Sequence, residues 1–405
     1  MIGLLRSLQR TAAPRPLEPS RIAIGDEVLD VVFRRHAQAR RLVLRLNSTG
    51  TGVLVTVPNG VSRVKALEFT ARSRDWIARD KPAPWFQSVQ GAHKTCVYEH
   101  LGFGFLFDQN LSLDGLKQFP VVLLANTGIL TEPEVELLQR YVNEGGNLIV
   151  TGQSGQFDSM GRPLAVATLE ALIGATVKGR LDTPDNWMRF PQDATIPPEL
   201  LAGLRPDWPF LVRGPATIYE PTTATPHGDL LDSHRAALAR PEGYNTDWPL
   251  SARQVVGPAV LLNTVGKGRV LTFAGSPDSA TASEHHIVET RRLLANALRL
   301  LNPDPRLRIE APANVETVVT DDPDTRTLRV HFIAYNATPQ TTPVKERPYV
   351  LPGLIEDMPM FRASIELRDN HKSVKALNQT TEVTTRDRRV ELTIADIHEV
   401  IQCQY

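Results

Sequence analysis

Apolar and polar residues alternate along this chain in three distinct ways. In the first eighty residues, VLDVVFRRH (28–36), RRLVLRLN (40–47) and GVLVTVP (52–58) place an apolar side chain at every second position, as half-buried antiparallel strands do. The short link Ala37-Gln38-Ala39 predicts a hairpin between the first two, and Ser-Thr-Gly-Thr-Gly a turn before the third. Ser62 then predicts a helix cap, with Val64, Leu67, Ala71 and Ile77 near one face of a helix running to about Arg79. Residues 21–80 therefore read as a small β-β-β-α module, after a loose tail over 1–20.

Beyond Lys81-Pro82-Ala83-Pro84, which predicts a linker over 81–86, helical and strand periods alternate. Residues 87–100 predict a helix, Phe103–Phe107 a strand, Ser112 the cap of a short helix and VVLLAN (121–126) a buried strand. Thr131 and Glu134 form a T-x-x-E capping box, and Val135, Leu138 and Val142 give that helix its buried stripe. Gly145-Gly146 ends it, and Asn147–Thr151 follows as a strand. Short connections of this kind predict right-handed crossovers onto a parallel sheet. Residues 155–250, rich in Pro, Asp and Thr, read mostly as loops with a few strands. Residues 258–275 predict a hairpin about Gly266-Lys267-Gly268, and Ser283 the cap of a helix over 284–301 with Ile287, Leu294, Leu298 and Leu301 inward.

From Leu307 the helical period vanishes. Short alternating runs separated by turn residues predict a β-sandwich of six to eight strands. The expected fold class is α/β plus all-β: an α/β domain over 87–304, then an antiparallel β-sandwich over 305–405.

Composition narrows the function. At 22% charged and 41% apolar residues the chain is an ordinary globular one, and its formal net charge of zero argues against a whole-molecule attraction to nucleic acid or membranes. Residues 1–82 nonetheless hold fifteen Lys/Arg against seven Asp/Glu, so the remainder is acidic. Cys96 and Cys403 lie far apart, predict two reduced thiols, and cannot make a zinc site unaided. The opening MIGLLRSLQRTAAPRP has too short an apolar run for a secretory signal, and no stretch approaches the ~20 apolar residues of a membrane span. The default expectation is a cytoplasmic protein.

Two resemblances add to this. Leu123–Asn126, TEPEVELLQRYVNEGGNLIVTG (131–152), GKGRVLTFAG (266–275), ETRRLLANALRLL (289–301) and VHFIAYNA (330–337) resemble the amidotransferase-like, β-galactosidase trimerisation-type domain and terminal β-domain of family 42-type β-galactosidases and related glycoside hydrolases. That resemblance implies a flavodoxin or class I glutamine amidotransferase-like parallel sheet. It also implies that the bond-breaking carboxylates belong to a catalytic barrel for which no segment is available here. In that family the α/β domain opens with a strand in the middle of its sheet, which Asp80–Phe86 cannot supply. RRHAQARRLVLRL, Val-Pro-Asn-Gly-Val-Ser and Asp75-Trp76-Ile77 resemble the start of YgjP-type metallopeptidases. That family's H-E-x-x-H zinc motif is missing from the sequence; Glu284-His285-His286-Ile-Val-Glu289 lacks a His at i+4.

The candidate chemistry is correspondingly thin. Amidotransferases place a nucleophilic Cys on a strand-to-helix elbow, where this chain has Thr151-Gly152-Gln153-Ser154-Gly155. Ser154 is the available substitute, with His285 or His286 as base, although the motif departs from G-x-S-x-G. Asp182/Asp185, Asp229/Asp232 and Asp321/Asp322/Asp324 sit in turn-rich segments and read first as solvated turns. Trp187, Trp208 and Trp248 could stack on sugar rings or simply pack. Arg34, Arg35, Arg40, Arg41 and Arg45 line what would be one basic ribbon near phosphates, though without interleaved aromatics.

The expectation is a non-catalytic, oligomerising or carbohydrate-associated portion of a glycoside hydrolase-like protein, a truncated or fused gene product without cofactor or metal. Its partners would be further copies of itself or a separately encoded barrel. A hydrolase using Ser154 with a His, and nucleic-acid binding through Arg34–Arg45, stay open as alternatives.

Overall fold

The computed structural model describes residues 20–24, 27–36, 39, 41–46, 52–73, 84–108, 111–159, 161–181, 185–192, 196–231, 254–283, 287–334 and 360–405. The chain separates into two compact units, Met1–Ala83 and Pro84–Tyr405.

Among the described residues the first unit holds a four-stranded sheet followed by a helix. Strands β1 (Ser20–Ile24), β2 (Glu27–His36), β3 (Val43–Leu46) and β4 (Gly52–Pro58) lie in the order β1-β2-β4-β3. The hairpin expected between β2 and β3 is not formed. β2 pairs antiparallel with β1, closing at Ile24↔Glu27, and parallel with β4, while β3 pairs with β4 alone. β4 takes the central place because Val53, Val55 and Val57 make it the most thoroughly buried strand, and a centre paired on both edges suits it. Helix α1 (Arg63–Arg72) starts as expected at Ser62, whose hydroxyl accepts from Lys65 N–H at 3.3 Å. Its inward face is Ala66 and Thr70, whereas Val64 is 64% exposed, so the stripe is rotated from the expected one.

The second unit begins with helix α2 (Pro84–Tyr98), then α3 (Leu113–Lys117), capped by Ser112 as expected. Its main sheet has seven strands in the order β5-β6-β13-β12-β11-β8-β9. These are β5 (Val121–Leu124), β6 (Asn147–Val150), β8 (Asp185–Arg189), β9 (Phe210–Arg213), β11 (Thr225–Leu231), β12 (Val255–Val265) and β13 (Gly268–Phe273). Only β5, β6 and β13 run parallel; the other four continue the sheet antiparallel. The sheet is thus mixed rather than parallel, because the hairpin at Gly266 turns the chain back on itself where a crossover helix would be needed. β7 (Ala175–Leu181) and β10 (Ala216–Pro221) form a separate antiparallel pair, so residues 175–231 carry five strands where mostly loops were expected.

Helices cover both faces. On one side α4 (Glu132–Asn143) and α5 (Glu170–Ile173) pack Val135, Leu138, Tyr141, Leu172 and Ile173 against Leu148, Val150 and Val270. On the other, α7 (Val288–Leu301) packs Leu293, Leu294, Ala297 and Leu301 against Ile149, Leu271 and Phe273. Alternate residues of β6 and β13 therefore point into different cores, as strand geometry requires. The capping box holds, with Glu134 Oε2 accepting from Thr131 N–H at 2.6 Å and from its hydroxyl at 2.8 Å. Ser283 does not cap α7. It ends the short helix α6 (Pro277–Ala282), its hydroxyl donating to Ala280 O at 2.6 Å. Phe103–Phe107, expected as a strand, has no strand partner among the described residues.

Among the described residues eight further strands make the sandwich. Leu307–Glu310, Phe361–Leu367, Arg389–Ile394 and Glu382–Arg386 form one antiparallel sheet; Val315–Asp322, Thr327–Ala334, His398–Gln404 and Ser373–Ala376 form the other. Their facing residues, among them Ile365, Val390, Val330, Phe332 and Ile401, close a single core. The end of α2 ties this half to the α/β layer. Glu99 pairs with Arg291 at 3.1 Å and Arg299 at 3.0 Å, and His100 Nε2 lies 2.9 Å from Ala311 O.

Candidate functional site

Parallel strands bring their carboxyl ends together, and in α/β proteins ligands gather there. In this chain the ends of β5, β6 and β13 converge on Asn126, the loop Thr151–Gln156 and the segment Ser276–Ser279. These positions are filled by a buried polar network. Thr151 Oγ1 donates to Asp278 Oδ2 at 2.6 Å and accepts from Asn126 N–H at 2.9 Å. Asn126, itself at φ +50°, uses its Oδ1 to accept from Gln153 N–H at 2.8 Å. Gly152 sits at φ +60°, and a Cβ there would overlap Asn126 Oδ1 and Ser276 Oγ, so only glycine fits the turn. Further along, Gln156 Nε2 donates to Thr217 Oγ1 at 2.7 Å, and Thr217 Oγ1 donates to Gly152 O at 2.9 Å. Arg180 Nε completes the chain by donating to Gln156 Oε1 at 2.9 Å.

Asp278 is the one carboxyl in the network. It is fully buried, and burial pushes its pKa up to about 6 despite the hydrogen bonds from Thr151 and from Ser279 N–H, the latter at 2.8 Å. Helix α2 lies over it: Gly91 approaches so closely that a Cβ would coincide with the Asp278 carbonyl oxygen. Flanking Gly91, Ser88 and Thr95 are buried polar residues on the same helix.

Ser154 belongs to this network. It is 1% exposed; its hydroxyl donates to Thr151 O at 2.8 Å and accepts from Thr127 N–H at 2.9 Å. Nucleophilic attack needs an oxygen whose proton goes to a base, whereas here the proton and a lone pair are both engaged by main-chain groups. His285 and His286 lie outside the described residues. Neither cysteine stands at the elbow: Cys96 is on α2 and Cys403 in the sandwich, both free, with burial raising the thiols to about 12 and about 11.

The acidic candidates are dispersed. Asp229 is paired across the strands with Arg189 Nη2 at 2.5 Å. Asp321 is held by Arg306 and accepts from the Tyr405 hydroxyl at 2.9 Å, and Asp322 accepts from Thr325 N–H at 3.2 Å within the turn that contains Asp324. Asp182 and Asp232 lie outside the described residues, and Asp185 is placed only by its backbone pairing with Arg213. Trp187 lies half-buried on β8 with its ring nitrogen buried, Trp208 is 57% exposed beneath the Arg205 guanidinium at 5.2 Å, and Trp248 is outside the described residues.

The basic ribbon is divided. Arg34 is exposed while Arg35, on the opposite face of β2, reaches back to Pro58 O at 3.4 Å. Arg41 precedes and Arg45 lies on β3, which β4 separates from β2, so these two strands do not form one two-stranded ribbon; Arg40 and the Arg45 side chain lie outside the described residues. Among the described residues no group of three or more His, Cys, Asp or Glu is placed to hold a metal ion, and no helix is long and apolar enough to cross a membrane.

The residues that sequence reasoning missed are Asn126, Gln156, Thr217 and Asp278. The signal available was a glycine amid small polar residues on α2, Ser88, Gly91 and Thr95, which marks a face pressed against another backbone.

No protein-family model matches the chain, and no curated protein matches it. Solved structures do. An α-L-fucosidase, isoenzyme 2 from Paenibacillus thiaminolyticus, superposes with a TM-score of 0.57 at 19% identity, over 79% of this chain and 45% of that one. A β-galactosidase from Rahnella sp. R3 gives 0.50 at 13% identity, over 81% and 39%. The GH42 β-galactosidase Gan42B gives 0.50 at 13%, over 81% and 37%. The fold is therefore one found within glycoside hydrolases, and this chain spans less than half the length of each of those enzymes.

Proposed function

We propose that this chain is an accessory, non-catalytic body of the glycoside hydrolase type, which assembles with itself or with a catalytic barrel carried on another chain. One observation carries the reading. The loop where an amidotransferase-like fold would hold its nucleophile is a closed network, in which Ser154 and Thr151 have their hydroxyls engaged and Asp278 is sealed beneath α2. Of the candidate acids, Asp229 and Asp321 are paired with Arg189 and Arg306 and belong to different parts of the unit. Trp208 offers a ring face for weak carbohydrate contact. The first unit keeps the resemblance to the opening of YgjP-type metallopeptidases without their zinc motif, so proteolysis is not part of the proposal.

Chromogenic glycosides and esters offered to the purified chain test this. The expected result is no turnover above buffer. Glycoside or ester cleavage that disappears in Ser154→Ala would overturn it and establish a seryl hydrolase. Glycosidase activity of the chain alone, at rates ordinary for such enzymes, would overturn it equally.

A further inference from the structure

Residues 102–107 read Gly-Phe-Gly-Phe-Leu-Phe and carry no charge and no proline. Phe103, Phe105 and Phe107 are 46%, 54% and 61% exposed. Between them, Gly104 faces the Phe119 ring and Leu106 packs into the α/β core. Successive phenyl centroids stand 5.8 Å and 6.3 Å apart, close to the two-residue repeat of ~6.6 Å along a strand. His93 on α2 braces the row, 5.0 Å from Phe103 and 6.4 Å from Phe105. Among the described residues no hydrogen bond engages the main chain of 102–107. The segment joins main-chain groups with no partner among the described residues to a row of exposed rings, without the lysine or proline that guards natural edges.

We infer that this segment is a two-fold contact through which a second copy of the chain adds an antiparallel strand, Phe105 meeting Phe105 and Phe103 meeting Phe107 of the other copy. The inference deepens the assembling-body reading and rests on it. The sequence itself argues for a copy rather than a foreign strand. An isologous contact requires each residue and its opposite to exchange places, and the phenyl pattern of 103–107 is symmetric about Phe105. Area sets the strength. The exposed share of three rings of ~200 Å² each is roughly 300 Å² per copy, or roughly 600 Å² for the pair. A stable interface buries ~1,200–2,000 Å². Main-chain pairing and the His93 flank add to the rings but leave the area below that range, so a weak, reversible dimer is expected.

Sedimentation equilibrium of the full chain from about 1 to 100 µM tests it. The expected result is a concentration-dependent monomer–dimer equilibrium whose dissociation constant rises at least about tenfold in Phe105→Glu, where two carboxylates would face each other, and changes under about threefold in Phe105→Leu. A dimer that survives Phe105→Glu, or a trimer, overturns this contact while leaving the assembling-body reading in place. A wild-type chain that stays monomeric throughout overturns the contact and removes self-assembly from that reading, whatever else fills the row. Phe105→Cys supplies a second measurement should the glutamate variant misfold: mild oxidation should link two copies, since a pair facing across a two-fold falls within the ~4.4–6.8 Å Cα span of a disulfide. Absence of that linked dimer overturns the contact.

Discussion

Two places in the second unit handle hydrogen bonding in opposite ways. At the carboxyl edge of β5, β6 and β13, the side chains of Asn126, Thr151, Ser154, Gln156 and Asp278 are buried and hydrogen-bonded to their neighbours. Residues 102–107 have no main-chain hydrogen bond among the described residues and turn three phenyl rings to solvent. A reactive site needs polar groups held ready but not consumed; a contact site needs apolar surface and free backbone. The first place has its polar groups consumed by packing, whereas the second keeps apolar surface open to solvent.

The sharpest way to break the comparison is at Gly91. Any side chain there must push α2 off the Asp278 backbone, so Gly91→Ala should cost about 3 kcal/mol or more in denaturant titrations. A cost under about 1 kcal/mol would mean that α2 is not the seal on the network.

Asp278 gives the next largest effect, through pH. Its folded pKa of about 6 stands above the ordinary 3.8, so the folded state holds a proton that the unfolded chain releases. Its contribution to stability is therefore full below pH 3.8 and falls as pH rises to about 6, by up to about 3 kcal/mol. Carboxylates held below their ordinary pKa by cations, Asp321 beside Arg306 among them, slope the other way. The measurement is therefore the difference between wild type and Asp278→Asn at pH 4 and pH 7, which should shift toward the variant at the higher pH.

Ser154→Ala comes third. It removes a link between the β5 and β6 loops and leaves Thr127 N–H without its acceptor, for about 1–2 kcal/mol by thermal denaturation. A variant as stable as wild type would reopen the question of what that hydroxyl is kept for. The smallest effect belongs to the phenyl row: Phe105→Glu should change monomer stability by less than about 0.5 kcal/mol while weakening association. Equal loss of both would show the ring to be part of the core.

Much of the architecture was readable locally. Thr131 with Glu134, the stripe Val135, Leu138, Val142, the turn at Gly266 and the change of period at Leu307 each announce an element from a few adjacent residues. The failures share a cause. The β2–β3 hairpin was sterically available, yet β4 displaced β3 because the more buried strand gains more from the centre. Residues 175–231 hide five strands because their partners lie up to several dozen residues away, and Pro221 and Pro226 at strand positions read as loop. Tyr141 was not singled out by its period; its hydroxyl donates to Phe119 O at 2.8 Å from a buried ring. Of the candidate site, only Thr151–Gly155 was visible, through its glycines; nothing in the local sequence marks Asp278 as buried.

The order of amino acids alone decided where helices cap, where turns close and which half of the chain is all β, since caps, turns and periods act over a few residues. Strand order, the mixed direction of the sheet, the sealing of Asp278 and the orphaned backbone of 102–107 were decided only by tertiary structure. Each depends on which distant segment arrives alongside, and burial, not local preference, sets that outcome.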